Sequence, residues 1–281
     1  KEYVLDTIES TFVSSVGSYV NRFEDMMKEI TGAKYAIATV NGTTALHLSL
    51  IMAGVQRDEI VITQALTFVA TANAISHLGA TPVFVDVDLD TMGLSPDALE
   101  RYLKEETFQK DGQVYSKKSQ QRIAAIMPMH SFGHPVQIEK IIEIANQYQI
   151  PVIEDAAESL GSYVGNRHTG TFGLVSAFSF NGNKTVTCGG GGALITNDDA
   201  IGKRAKHVST TAKVPHPYEF FHDEIGFNYR MPNLNAALAC AQLEQLTEIL
   251  RGKRVLAESY IEFFKDSNIT FKQEPKGTTS N

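Results

Sequence analysis

The chain has 281 residues and a formal net charge of −7, with 43% hydrophobic and 20% charged residues. This is an ordinary globular composition, and its acidic balance disfavours nucleic acid and anionic membrane surfaces as partners. No apolar run approaches the roughly 18 residues that a membrane-spanning helix needs, so we expect a soluble protein without a membrane partner.

Strand-like and helix-like segments alternate along the first half of the chain. The predicted strands are 35–40, 59–63, 82–87, 123–128 and 152–155, and the predicted helices between them are 43–52, 68–78, 96–103 and 138–148. Such alternation builds a mainly parallel sheet covered by helices on both faces. The polar segment 104–122 interrupts the pattern and is interpreted as a surface excursion or hairpin. The sequence therefore predicts an α/β fold.

The last part of the chain predicts one long helix over 234–258, followed by a strand-like segment at 268–271. We expect an N-terminal helical segment (1–30), a large α/β domain (31–245), and an interdomain helix that leads into a small domain (246–281). Because a new element has just begun where the sequence stops, we expect the chain to be shorter than the native protein. The C-terminal small domain would then be largely missing.

A lysine follows a strand-like run near the middle of the chain. Residues 174–180 predict the strand, Lys184 lies in the turn after it, and the glycines 189–192 precede a second strand-like run at 193–196. A solvated loop lysine is one interpretation. A phosphate-binding P-loop is excluded because Asn183, not glycine, precedes the lysine. The glycine run also lacks the spacing and the βαβ context of a dinucleotide fingerprint, which argues against a NAD-dependent enzyme.

Two further segments predict ligand contacts at strand ends. Gly42, Thr43 and Thr44 open a predicted helix, where free backbone amides bind phosphate; a helix cap by either threonine is the alternative. Asp155 ends a strand that we expect to be buried, and a buried carboxylate needs a cationic partner or hydrogen-bond donors. A metal ion or a protonated ring nitrogen would serve, but no cluster at ligand spacing accompanies Asp155.

A phosphate site, a strand-end aspartate and a lysine in this order suggest pyridoxal phosphate. The lysine would form a Schiff base, and the aspartate would keep the pyridine nitrogen protonated. Phe68, at a helix start after a strand, is the best candidate for a side chain that covers the ring, with plain core packing as the alternative.

Six segments in this order resemble the sugar-nucleotide aminotransferases of the DegT/DnrJ/EryC1/StrS family. They are 41–46, 67–75, 154–158, 179–184, 189–192 and 226–231. The resemblance implies a PLP-dependent transferase fold (fold type I), with a large domain whose mainly parallel mixed sheet lies between helices. Segments 13–20, 129–135 and 211–216 further resemble the branch that acts in legionaminic acid and bacillosamine biosynthesis.

The resemblance also implies the roles of the residues around the cofactor. Lys184 would bind it covalently and later carry the proton, Asp155 would pair with the pyridine nitrogen, and Phe68 would stack on the ring. Thr43 and Thr44 would hold the phosphate through the helix N-terminus, and the Ser179 hydroxyl would add another donor.

Two implied roles have further consequences. Glu158 would lie near the ring hydroxyl, although an ionised acid cannot donate a hydrogen bond there. Asn228 matches an asparagine that reaches the phosphate of the neighbouring subunit, which implies a homodimer with two-fold symmetry. His130, Arg230 and His216 could line the sugar site, but helix packing or capping explains each of them equally well.

The implied reaction is a transamination in the cytoplasm. L-Glutamate would donate its amino group, and the acceptor would be a nucleotide-linked 4-keto-6-deoxy sugar, in the first place UDP-4-keto-6-deoxy-N-acetylglucosamine. The product would be a UDP-4-amino-4,6-dideoxy sugar for surface glycan or nonulosonic acid biosynthesis. A dehydratase branch that uses pyridoxamine phosphate replaces the lysine with histidine, so Lys184 argues against it. A catalytically inactive regulatory relative is the other alternative.

The two cysteines, Cys188 and Cys240, form no metal pattern and are expected as reduced thiols.

Overall fold

The computed structural model describes residues 1–281. Its helices are α1 (Glu2–Glu9), α2 (Ser18–Thr31), α3 (Gly42–Met52), α4 (Val69–His77), α5 (Pro96–Glu106), α6 (Ile138–Gln147), α7 (Asp199–Ser209), α8 (Asn233–Leu243) and α9 (Leu246–Phe263). Its strands are β1 (Tyr35–Thr39), β2 (Ile60–Gln64), β3 (Thr81–Val85), β4 (Thr107–Lys110), β5 (Gln113–Ser116), β6 (Ile123–Met127), β7 (Ile153–Asp155), β8 (Tyr163–Val164), β9 (Arg167–His168), β10 (Val175–Ser179), β11 (Gly192–Thr196) and β12 (Thr278–Thr279).

The central sheet is mixed and mainly parallel, as predicted. One part has the order β1-β11-β10-β7 and the other the order β3-β2-β6. Parallel bridges between Ile126 and Val152, and between Met129 and Asp155, bring β6 alongside β7 and join the two parts. Strand β11 runs antiparallel to both of its neighbours. The residues of β2, β6, β7 and β11 are all buried, as expected for strands covered on both faces.

Helices cover the sheet on both faces and complete the core. Helix α3 is apolar almost all round, and Leu46, Leu48 and Leu50 are at most 1% exposed, so this helix lies inside the molecule. The N-terminal helix α2 packs against α8 in one apolar cluster that also contains Phe178 and Phe180. The two helices thus share one core with the sheet. The predicted division of the chain into domains at 1–30, 31–245 and 246–281 stays a prediction.

Of the two interpretations of segment 104–122, a surface excursion or a hairpin, the structure shows the hairpin, formed by β4 and β5. Its two turn residues, Asp111 and Gly112, have φ values of 51° and 73°, which is the usual geometry for an Asp-Gly hairpin turn.

Two predictions for the last part of the chain are wrong. The single helix over 234–258 is broken at Glu244 and Gln245, where α8, which packs into the core, ends and α9, most of which is exposed, begins. The strand-like segment 268–271 is not a strand; Phe271 instead contacts the rings of Tyr260 and Phe264 on α9. No helix in the structure is both long and apolar enough to cross a membrane.

Candidate active site

A cavity of about 220 Å³ lies at the carboxyl ends of the parallel strands. Strands β1, β2, β6, β7 and β10 each contribute residues that follow or end the strand, which is the usual ligand position in open α/β sheets. Its walls combine amide, hydroxyl, carboxylate and apolar groups from Asn41, Gly42, Thr43, Leu46, Phe68, Ala70, Met129, Asp155, Ala157, Ser179, Asn181, Asn183 and Lys184.

Lys184 is a buried lysine that points into this cavity, so the solvated-loop interpretation is wrong. Its side chain is only 10% exposed, and Nζ lies 3.0 Å from Glu158 Oε1. The turn is closed by a backbone hydrogen bond from Lys184 to Asn181. A primary amine is therefore held at the cavity wall by one carboxylate.

Asp155 is fully buried at the end of β7. Its Oδ2 accepts a 2.6 Å hydrogen bond from Thr71 Oγ1, and its Oδ1 accepts one of 3.1 Å from the Ala157 backbone. Burial raises the pKa of this carboxyl above its ordinary value, although both hydrogen bonds act in the opposite direction. No group of three or more histidine, cysteine, aspartate or glutamate residues is arranged to hold a metal ion. The site therefore favours a cationic organic group next to Asp155.

The start of α3 leaves two backbone amides free toward the cavity. Asn41, and neither threonine, is the N-cap, and its side chain accepts a 2.9 Å hydrogen bond from the Thr44 amide. The Thr44 hydroxyl completes the capping box on Asn41 and does not line the cavity. The amides of Gly42 and Thr43 have no intrahelical partner and are available to an anion.

Gly42 brings the helix start and strand β10 unusually close together. A Cβ on Gly42 would lie 2.7 Å from the Cβ of Ser179 and 2.9 Å from its Oγ. Only glycine lets the Ser179 hydroxyl approach the free amides of α3. The Ser179 and Thr43 side chains thus join these amides around one pocket, a donor set that suits a phosphate group.

Phe68 does not pack in the core. It precedes α4, its side chain is 59% exposed, and its ring centre lies 5.7 Å from Lys184 Nζ. The core-packing alternative is therefore wrong, and the ring is free to cover a flat ligand.

Glu158 accepts hydrogen bonds on both carboxylate oxygens. Oε1 pairs with Lys184, and Oε2 accepts a 2.8 Å hydrogen bond from the Phe132 amide. Phe132 has a φ of 55°, so this contact stabilises a left-handed conformation that is uncommon for a bulky residue. In this structure Glu158 therefore acts only as a hydrogen-bond acceptor, and one of its two donors is the Lys184 amine.

Asn228 lies outside the cavity of its own chain. It is exposed, and its Oδ1 accepts a 2.9 Å hydrogen bond from Arg230 Nε. The suggestion that His130 lines a sugar site is wrong, because its ring is fully buried and its Nε2 lies 3.0 Å from Glu154. His216 is exposed and accepts backbone hydrogen bonds from Tyr218 and Glu219, which is a capping role.

Sequence reasoning missed two residues that shape the site. Thr71 lies one helical turn after Phe68, and that spacing could have placed both on the cavity side of α4. Asn41 precedes the glycine at the helix start, where asparagine is a preferred N-cap.

The residues present fit pyridoxal phosphate. A primary amine, a buried carboxylate without a cationic partner, and a pocket of amides and hydroxyls match the aldehyde, the ring nitrogen and the phosphate of that cofactor. Lys184, Asp155, and the amides of Gly42 and Thr43 would contact these three groups.

Comparisons with known proteins agree with this chemistry. The chain is 40% identical over 260 residues to the GDP-perosamine synthase of Escherichia coli O157:H7, covering 92% of this chain and 67% of the relative. It is 38% identical to the GDP-perosamine synthase of Caulobacter vibrioides, covering 90% and 64%. The chain thus spans about two thirds of the length of these curated relatives.

A solved aminotransferase from Brucella abortus superimposes with a TM-score of 0.89 at 30% identity, over 99% of this chain and 72% of that one. The predicted fold is therefore confirmed. The DegT/DnrJ/EryC1/StrS aminotransferase family model matches residues 1–280. The chain belongs to this family, whose members depend on pyridoxal phosphate.

Proposed function

We propose that the chain carries the active site of a sugar-nucleotide aminotransferase that uses L-glutamate as the amino donor. The observation that carries the proposal is the meeting of the Lys184 amine, the Asp155 carboxylate and the free amides of α3 in one cavity. An aminotransferase needs these three groups to attach, polarise and anchor its cofactor.

Bound pyridoxal phosphate supplies an aldehyde that takes up an amino group and a ring that accepts electrons. Lys184 Nζ would hold the cofactor and would carry a proton at the reacting carbon. Its distance of 3.0 Å from Glu158 keeps this amine oriented on the cavity side. Asp155 would hold the ring nitrogen, and its buried carboxylate would keep that nitrogen protonated.

A second cavity of about 220 Å³ adjoins the first and provides room for a substrate. It shares Phe68 and Met129 with the first cavity, and its other lining residues are Leu66, Thr67, Ser131, Phe132 and Glu158. Apolar side chains next to hydroxyl groups suit a deoxy sugar, which has both a methyl group and hydroxyls. We propose a 4-keto-6-deoxy sugar as the acceptor.

The nucleotide carrier has two candidates. The segments that resemble the legionaminic acid and bacillosamine branch favour a UDP-linked N-acetylglucosamine derivative. The curated relatives favour GDP, since two of them are GDP-perosamine synthases at 40% and 38% identity. We give GDP priority because these matches extend over at least 90% of the chain.

We also propose that the working enzyme is a two-fold homodimer in which Asn228 contacts the cofactor phosphate of the partner. Three side chains in the segment just before Asn228 are more than 80% exposed and apolar or aromatic, as an interface segment would be. They are Tyr218, Phe220 and Ile225.

The cofactor assignment is tested by borohydride reduction of the protein loaded with pyridoxal phosphate, followed by peptide mapping. We expect the label on Lys184 and no label in Lys184→Ala. A label on another lysine in the wild-type protein would contradict the assignment.

The substrate assignment is tested by an assay with L-glutamate and a panel of GDP-, UDP- and dTDP-linked 4-keto-6-deoxy sugars. We expect a 4-amino sugar nucleotide and 2-oxoglutarate in equal amounts, with the GDP-linked sugar as the best acceptor. If the UDP-linked sugar is preferred, the carrier proposal fails while the aminotransferase proposal stands.

A further inference from the structure

Asn281 lies between the loops that carry the two members of the Lys184–Glu158 ion pair. Its Nδ2 donates to the backbone oxygens of Glu158 at 2.7 Å and Leu160 at 3.0 Å. The same nitrogen lies 3.0 Å from the Oγ1 of Thr185, the residue after the lysine. One side-chain amide thus connects the 158–160 loop to the turn at 184–185.

The two backbone oxygens depend on this residue. No other protein group in the structure donates to the oxygen of Glu158 or of Leu160. Without the Asn281 amide, the backbone oxygens of Glu158 and Leu160 would lose their protein donor, and the 158–160 loop would lose one of its links to the turn at 184–185.

The loop around Phe132 is shaped to receive the same side chain. Gly133 has a φ of +83°, and a Cβ at that position would lie 1.9 Å from Asn281 Oδ1. Ser162 Oγ donates to the Gly133 oxygen at 2.7 Å and accepts from the Asn281 backbone at 3.0 Å. Since the Phe132 amide binds Glu158, all three loops that fix the ion pair meet at Asn281.

We propose that Asn281 is a positioning residue that keeps the Glu158 carboxylate against Lys184 Nζ. The inference rests on the cofactor role proposed for Lys184. Glu158 keeps the flexible lysine stem oriented toward the cavity, and Asn281 keeps the two loops at the distance that this contact needs. Loss of the Asn281 amide lets the carboxylate and the amine separate, so that fewer lysine side chains are placed to react with the cofactor aldehyde.

The test measures how fast pyridoxal phosphate attaches to Lys184 in the cofactor-free chain, trapped by borohydride and quantified on the Lys184 peptide. We expect Asn281→Ala to slow attachment roughly tenfold, as for the loss of one or two net hydrogen bonds. Asn281→Asp, which keeps the shape but loses the donor, should slow it similarly. Asn268→Ala is the matched control, because Asn268 is exposed and its side chain forms no hydrogen bond.

A double-mutant cycle separates positioning from general stabilisation. In a Glu158→Ala background, Asn281→Ala should slow attachment no further, because the contact that Asn281 supports is already lost. Independent, additive effects of the two changes would overturn the inference. Where the alanine variant unfolds, Asn281→Ser, which retains one short donor, takes its place in the cycle. If the wild-type label is not on Lys184, the proposed function fails and not the positioning role alone.

Discussion

At the scale of single residues, the buried carboxyl of Asp155 lowers the stability of the cofactor-free fold when it is ionised. Asp155 is buried with two hydrogen-bond donors and no cation within its contacts, and burial raises the pKa of its carboxyl. The folded chain therefore binds a proton at this carboxyl more tightly than the unfolded chain does. Its contribution to stability is present at low pH and is lost as pH rises through the folded pKa.

Asp155→Asn should consequently stabilise the cofactor-free chain at neutral pH while weakening cofactor binding. We expect the free energy of unfolding to rise by on the order of 1 kcal/mol, as for removal of an uncompensated buried charge. Asparagine can still accept from Ala157 and donate to Thr71, so the local contacts survive. Urea unfolding with and without pyridoxal phosphate measures both effects. Asp266→Asn, at an exposed position, is the control, and equal behaviour of the two variants would refute the prediction.

At the scale of secondary-structure elements, the start of α3 has both a structural and a ligand-binding role. Asn41 caps this helix through a full capping box, and the two amides that it leaves free face the cavity. Helix α5 has a comparable cap, in which Ser95 Oγ accepts from the Ala98 amide at 3.2 Å, but it lies away from the cavity.

These two caps give a matched pair of variants. Asn41→Ala and Ser95→Ala should each lower the free energy of unfolding by about 1 kcal/mol. Of the two variants, only Asn41→Ala should also weaken the binding of pyridoxal phosphate and of inorganic phosphate, because the start of α3 lines the cavity and that of α5 does not. Titration calorimetry measures the binding. A similar loss of affinity in Ser95→Ala would show that capping alone accounts for the effect.

The short strand β9 carries a pH-dependent contact. His168 Nε2 accepts a 2.8 Å hydrogen bond from the Gly161 amide, which requires a neutral ring, and burial lowers the pKa of His168 to about 4. The unfolded chain therefore binds a proton at this histidine more readily than the folded chain below the ordinary value of 6.5. This contribution to stability is present above that value and is lost as pH falls toward 4.

The free energy of unfolding should fall between pH 8 and pH 4. His168 should contribute up to about 1.4 kcal/mol per pH unit to this slope. His168→Gln should flatten the slope, whereas His77→Gln, at an exposed position, should leave it unchanged. An unaltered slope in His168→Gln would contradict the assignment.

At the scale of the whole molecule, the proposed dimer implies that each site draws residues from both subunits. Lys184 lines the cavity of its own chain, whereas Asn228 is exposed outside it. If Asn228 completes the partner's site, a mixed dimer of Lys184→Ala and Asn228→Ala subunits contains one intact site. That site takes Lys184 from the Asn228→Ala subunit and Asn228 from the Lys184→Ala subunit.

Mixing the two inactive variants should then restore activity, to about a quarter of the wild-type level when subunits exchange at random. The assay is aminotransferase activity after mixing, with Lys184→Ala mixed with itself as the control. No recovery despite proven subunit exchange would place Asn228 in the site of its own chain or outside any site.

Much of the candidate site could be predicted because its residues follow strands. Asp155 and Ser179 end strands, and Thr43, Phe68 and Lys184 lie in the segments that directly follow strands. Parallel strands bring such positions to one edge of the sheet. The phosphate contact of Thr44 stays a prediction, because a threonine at a helix start can either face a ligand or close a capping box, and in the structure its hydroxyl bonds Asn41. Asn41 decided between these two roles.

The sequence by itself determined the alternation of strands and helices, the polar interruption at 104–122, and the family, because hydrophobic periodicity, polarity and motif order are local properties. Only the tertiary structure decided the side-chain partners. Thr71 meets Asp155 across 84 positions and Asn281 meets Glu158 across 123. It also decided where α8 ends and α9 begins, since both segments favour a helix and only the burial of α8 against the exposure of α9 separates them. Such contacts depend on how distant elements pack, which no short stretch of sequence encodes.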